Sequence, residues 1–280
     1  MRQGRTKLMP RIAGGAGRAF AFYGIALGLA VAVALSAPVT GAATPLLTMF
    51  TPALAVAIML GFLAPEGGFR AALAGLGLGR AGLRAWPVAI AVPALIFGVG
   101  LGVMALAGLT AVAIPVARAS FGLVLLKVAT GLAAQTLFSL AEEVGWRGYM
   151  LPRMGGFRVL PAMLLVGFLH GVWHLPLMLA TDFYHPGGDA RLVVPMFLLT
   201  LTLAGVFYGF LRLWTGSVWP VALAHAATNT AWDMTGKLSQ ARSALAVEYV
   251  GGESGLLVIG GLIVVALVIR RAMPRFGSGF

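Results

Sequence analysis

Phe138-Ser139-Leu140-Ala141-Glu142-Glu143-Val144-Gly145-Trp146-Arg147 sets two adjacent carboxylates and a guanidinium inside a long apolar run. The chain has 280 residues and only eight Asp or Glu among them. Ionisable groups at bilayer depth are costly and mark functional sites by default. Reading outward from this stretch, apolar runs recur along the whole chain, and three of the four histidines (His170, His174 and His225) also fall inside such runs. Composition agrees: 60% of residues are hydrophobic and 10% charged, which no soluble domain of this length supports.

The runs predict an all-α, polytopic membrane protein with about eight transmembrane helices, at 19–37, 45–64, 86–115, 121–151, 158–181, 192–212, 217–235 and 254–271. The whole chain, 1–280, reads as a single membrane-embedded domain, with no internal repeat and no soluble domain. The segments at 65–85 and 236–253 are the longest outside the runs, and each has room for a short surface helix. The patch Asp182–Asp189 reads as an outer turn, with His185 a solvated loop residue.

The net charge of +12 does not indicate a nucleic-acid partner, because the arginines gather at the ends of apolar runs rather than on one face. Basic residues occupy every second loop. Arg2, Arg5, Lys7, Arg11 and Arg18 precede the first run, and Arg70, Arg80 and Arg84 follow the second. Arg153 and Arg158, then Arg212, then Arg270, Arg271 and Arg275 complete the series. The alternate loops are nearly neutral or acidic, with Arg118 alone at 116–120. By the positive-inside rule this places both termini in the cytoplasm of a multi-pass protein of the inner (cytoplasmic) membrane. Small residues around Ser36-Ala37 and Gly41–Ala43 are similar to a signal-peptide cleavage region, yet Pro38 argues against cutting there, so the first helix is expected to be retained. Without cysteine, disulfides and thiolate chemistry are excluded.

Three constellations carry chemistry. Glu143 and Arg147 are four residues apart and share a helix face, which suits an ion pair, while Glu142 is turned about 100° away. His170 and His174 lie one turn apart, with Pro176 placed to kink the helix nearby. His225 and Asn229 are again one turn apart in an apolar run. The plainer alternatives are interfacial charges for the glutamates, core histidines bonded to carbonyls, and interhelical glue for His225 and Asn229. Counted along the helices at 1.5 Å per residue, Glu142, His174 and His225 fall roughly 17, 25 and 15 Å from the cytoplasmic end, so spacing lets them meet in the cytoplasmic half of the bilayer.

Glu-Glu-x-x-x-Arg at 142–147, His-x-x-x-His at 170–174 and His-x-x-x-Asn at 225–229, in that order on successive spans, resemble the CPBP family of intramembrane proteases. That family includes the eukaryotic CAAX prenyl endopeptidases and the bacterial Abi-type proteins linked to bacteriocin immunity. The resemblance covers about 120–235, the expected catalytic core, and Trp173-His174-Leu175-Pro176 is similar to a form common in bacterial members. The family's second motif usually has Phe or another aromatic residue where this chain has His170.

The resemblance implies hydrolysis of a peptide bond in a membrane-associated, in some members prenylated, protein or peptide. Glu142 would be the general base. His174 would hold the water, His225 and Asn229 would face the oxyanion, and Glu143, Arg147 and His170 would support them. A metal-independent mechanism is favoured, with no cofactor. Zinc stays open, and its ligands would come from Glu142, His170, His174 and His225. The competing classes are a non-catalytic immunity or scaffold protein and a proton-coupled carrier. The sequence leaves the substrate and the oligomeric state open.

Overall fold

The computed structural model describes residues 15–63, 67–113, 121–181, 185 and 188–273. Arg2, Arg5, Lys7, Arg11, Asp182 and Arg275 lie outside the described residues. The fold is an all-α bundle. Helix α1 spans Gly15–Leu35, α2 Thr44–Phe62, α3 Phe69–Gly75 and α4 Trp86–Leu106. Helix α5 spans Phe121–Glu143 and continues through a π-helical turn, Val144–Met150, to Arg153. Helices α6 Val159–Ala180, α7 Ala190–Thr215, α8 Trp219–Leu238 and α9 Leu256–Ala272 complete it.

Among the described residues seven helical stretches are long and apolar enough to cross a bilayer. The eighth expected crossing, α8, forms as a helix but falls outside that set. His225, Asn229, Asp233 and Lys237 dilute its apolar character. His225 and Asn229 are tolerated because that part of the helix lies inside the bundle, packed on α5, α4 and α7, with Pro220–Ala227 buried, whereas Asp233 and Lys237 pair with each other on its exposed far end. A helix enclosed by protein need not offer lipid an apolar surface. The first half of α5 does the opposite, turning Leu123, Leu125 and Leu126 outward.

One further expectation is corrected. The apolar run 86–115 does not stay helical: α4 ends at Leu106, Gly108 takes φ 68°, and strand β1, Thr110–Val112, pairs antiparallel with β2, Ser239–Ala241. Positive φ costs glycine little and other residues much, so the helix stops there. The segment 236–253 holds β2 and, in the room left for a short helix, a π-helical stretch, Ala246–Gly251. Helix α6 runs unbroken through Pro176.

Helices α6 and α7 meet backbone to backbone. A Cβ on Gly167 would lie 2.6 Å from the carbonyl oxygen of Leu201, and one on Gly205 would lie 2.6 Å from Gly167 Cα. Small residues let membrane helices approach this closely, and the spacings Gly167-x-x-x-Gly171 and Gly205-x-x-x-Gly209 repeat the device on both partners.

The chain direction gives the bundle two ends. At one end, Val218 N–H donates to Gly77 (3.1 Å), Trp219 Nε1 to Leu78 (2.9 Å) and Arg84 to the Trp214 carbonyl. Arg70, Arg80, Arg84 and Arg158 belong to this basic end. The β ribbon and residues 36–43, 185, 188–189 and 242–255 form the opposite end.

Candidate active site

Glu142 and Glu143 sit at the last α-helical positions of α5, where the chain widens into the π-helical turn. Such turns insert one residue into a helix and recur at functional sites. Gly145 and Gly148 allow the wide turn to pack tightly. A Cβ on Gly145 would be 2.7 Å from Pro52 Cβ, and one on Gly148 would be 3.1 Å from the Leu76 carbonyl oxygen. Trp146 and Arg147 are thereby carried into the interior with no exposed surface.

Arg147 ties the buried polar groups together. Its Nη1 lies 3.0 Å from both carboxylate oxygens of Glu143, making the expected ion pair, and 3.1 Å from Nδ1 of His170. A guanidinium can only donate, so Nδ1 of His170 accepts and its proton must sit on Nε2. Nε2 is 3.0 Å from Oε2 of Glu142, to which it donates. One cation therefore holds both glutamates: Glu143 directly, and Glu142 through an imidazole. The Trp146 ring stacks on His170 at 5.0 Å, and the Arg147 guanidinium lies 5.0 Å over the Tyr208 ring.

The other two histidines are oriented by the same rule. His174 Nδ1 is 3.1 Å from the carbonyl oxygen of His170, which can only accept, so His174 donates from Nδ1 and Nε2 is its basic nitrogen. Trp173, beside it, donates from Nε1 to Thr51 Oγ1 (3.1 Å), tying α6 to α2. His225 Nδ1 is 3.0 Å from Glu143 Oε1 and donates to it, again leaving Nε2 as the basic nitrogen. Tyr208 stacks on the His225 ring and is 3.0 Å from Thr228 Oγ1. Ring centroids of His170 are 5.0 Å from His174 and 5.9 Å from His225.

These groups meet in a cavity of 390 Å³ whose wall includes Glu142, His174, His225 and Asn229. Glu143, Arg147 and His170 form the layer behind that wall. Sequence reasoning missed the far side of the cavity, where His185, Glu248 and Glu253 contribute. His185 is not a solvated loop residue: its side chain is 9% exposed and contacts the Glu248 carboxylate. Acids close to the ends of apolar runs were the one available signal, and loop chemistry explained them equally well.

Ligating atoms of Glu142, His170 and His174 lie within 4.8 Å of one another, and His225 falls outside that group. Both nitrogens of His170 are engaged, one accepting from Arg147 and the other carrying the proton it gives to Glu142. That leaves Glu142 and His174 of the group, beside His225 on the same cavity wall, as the side chains open to a zinc, which takes three protein ligands in catalytic sites.

No curated protein matches the chain. Residues 122–231 do match a family, described as type II CAAX prenyl endopeptidase Rce1-like. That interval contains every motif residue named above, so the segment that supplies Glu142, His174, His225 and Asn229 to the cavity wall is similar to that family.

Proposed function

We propose that this protein is a multi-pass intramembrane endopeptidase in which Glu142 activates water. The Rce1-like match supports a CAAX-type peptidase. The observation that carries the finer reading is Glu142 on the wall of a cavity shared with His174, His225 and Asn229, its Oε2 held from behind by His170. With Oε2 engaged, Oε1 is the oxygen that takes the proton from water. His174 positions that water through Nε2. The hydroxide attacks the scissile carbonyl carbon, and the amide of Asn229 donates to the oxyanion. His225, held through Nδ1 on Glu143, takes up a proton from solvent at Nε2 before turnover and then donates from Nε2 to the same oxygen. Collapse breaks the C–N bond, and Glu142 returns its proton to the leaving amine. Preorganised donors of this kind are each worth about a hundredfold to a thousandfold in rate.

The engagement of both His170 nitrogens within the protein supports a reaction run by protein groups alone. The substrate is a membrane-associated peptide or protein, prenylated or not, and the bilayer is its other partner.

The test is hydrolysis of a panel of lipidated and unlipidated peptides by detergent-purified protein. Glu142→Gln is expected to lower kcat by about 10²–10⁴-fold while the melting temperature stays close to wild type. Activity is expected to survive strong chelation and dialysis. Wild-type turnover by Glu142→Gln would refute the base assignment, and activity lost to chelation and restored by zinc would refute the metal-independent mechanism.

A further inference from the structure

The site sits deep in the bundle, so the direction from which a peptide reaches it is a property of the cavity. The helix order fixes the ends. Helix α2 starts at the end opposite the basic loops, and Pro45 and Met49 in its first two turns line the cavity. From α5 the lining residues are Gln135 and Glu142, with Gln135 about two turns nearer that same opposite end. From α7 they are Phe197 and Leu201, within the first half of a helix that begins there at Ala190. His185, Val247, Glu248 and Glu253 lie at that end outright. Among the described residues, none that lines the cavity comes from the basic loops 67–85, 153–158 or 212–218, and none is Lys or Arg.

The basic end is also closed. Arg212 spans it, donating from Nε to the Arg147 carbonyl (3.0 Å) and from Nη2 to the Gly75 carbonyl (2.7 Å). Trp146, Tyr149, Met150, Leu151 and Met154, beneath it, are fully buried. The cavity therefore runs from the glutamates away from the basic end. Glu142 and His225 sit nearer the basic end, and the space they face extends to the other side.

Arginine-rich loops stay in the cytoplasm. We infer that the cavity opens to the non-cytoplasmic face of the membrane, and that the site takes peptide segments presented there, such as the translocated end of a membrane-anchored chain. The second half of this inference rests on the hydrolytic reading above; the first half does not.

The absence of cysteine makes the test direct, since each substituted thiol is the only one in the protein. Val247→Cys and Met49→Cys place thiols on the cavity wall, and Leu83→Cys places one at the basic end on a side chain 64% exposed. Intact spheroplasts expressing each variant are treated with a membrane-impermeant maleimide, before and after permeabilisation. Both cavity thiols are expected to label from outside at a rate that permeabilisation leaves unchanged, and Leu83→Cys only after it. The reverse pattern would overturn the inference, as would cavity thiols that fail to label even in detergent. Outside labelling combined with full activity of Glu142→Gln would overturn the hydrolytic assignment and leave the orientation standing.

Discussion

His170 is the residue at which this chain parts from the aromatic position of the motif it resembles, and its surroundings give the difference a role. An aromatic ring would keep the stack on Trp146 but could neither accept from Arg147 nor donate to Glu142. A hydrogen bond to a charged partner is worth about 1.5–3 kcal/mol. His170→Phe is therefore expected to lower kcat by about tenfold to a hundredfold with little change in KM, since the lost contact orients the base rather than the substrate. His170→Gln, which keeps a donor, should recover part of the loss. Unchanged kcat in His170→Phe would reduce the imidazole to a space-filler. The identity of the site residues was legible in the sequence because each is a polar group set in an apolar run. Their linkage was not. Arg147 and His170 are 23 residues apart, on helices whose mutual rotation no local pattern records.

At the scale of the element, the α6–α7 contact is the most exacting. With 2.6 Å between Gly167 Cα and the position of a Cβ on Gly205, any side chain must push the helices apart. Gly205→Leu is expected to cost about 1–3 kcal/mol or more, read as a lower melting temperature in detergent. Gly24→Ala, where a Cβ meets nothing within 4 Å, should melt like wild type. Equal melting of the two variants would contradict so close a backbone contact. Helix positions were legible because the apolar runs are long. The end of α4 was not, since the strand beyond it pairs with residues about 130 positions later in the chain. Nor was the π-helical turn, because the helix continues beyond it only over Leu151–Arg153, too short a stretch to register a shift in periodicity.

Across the whole molecule, the number of crossings decides where the termini lie. Seven apolar spans alone would put them on opposite sides, and with α8 included the count is even. Reporters active only in the cytoplasm, fused to either terminus, are both expected to be active. Activity at one terminus alone would mean that α8 does not traverse the membrane. Charge alternation predicts this orientation from sequence, whereas the polar character of α8 obscured the crossing itself. Its His225 and Asn229 face the cavity, and Asp233 and Lys237 sit on its exposed end.

The glycine seam between α6 and α7 has a mechanical corollary. Two backbones already touching cannot slide or part without losing their best packing, so the wall that bears His170 and His174 behaves as an anvil. Whatever breathing admits a polypeptide must fall to the opposing wall, where α2 and the stretch 246–253 are joined to the rest by side chains rather than by main chain on main chain.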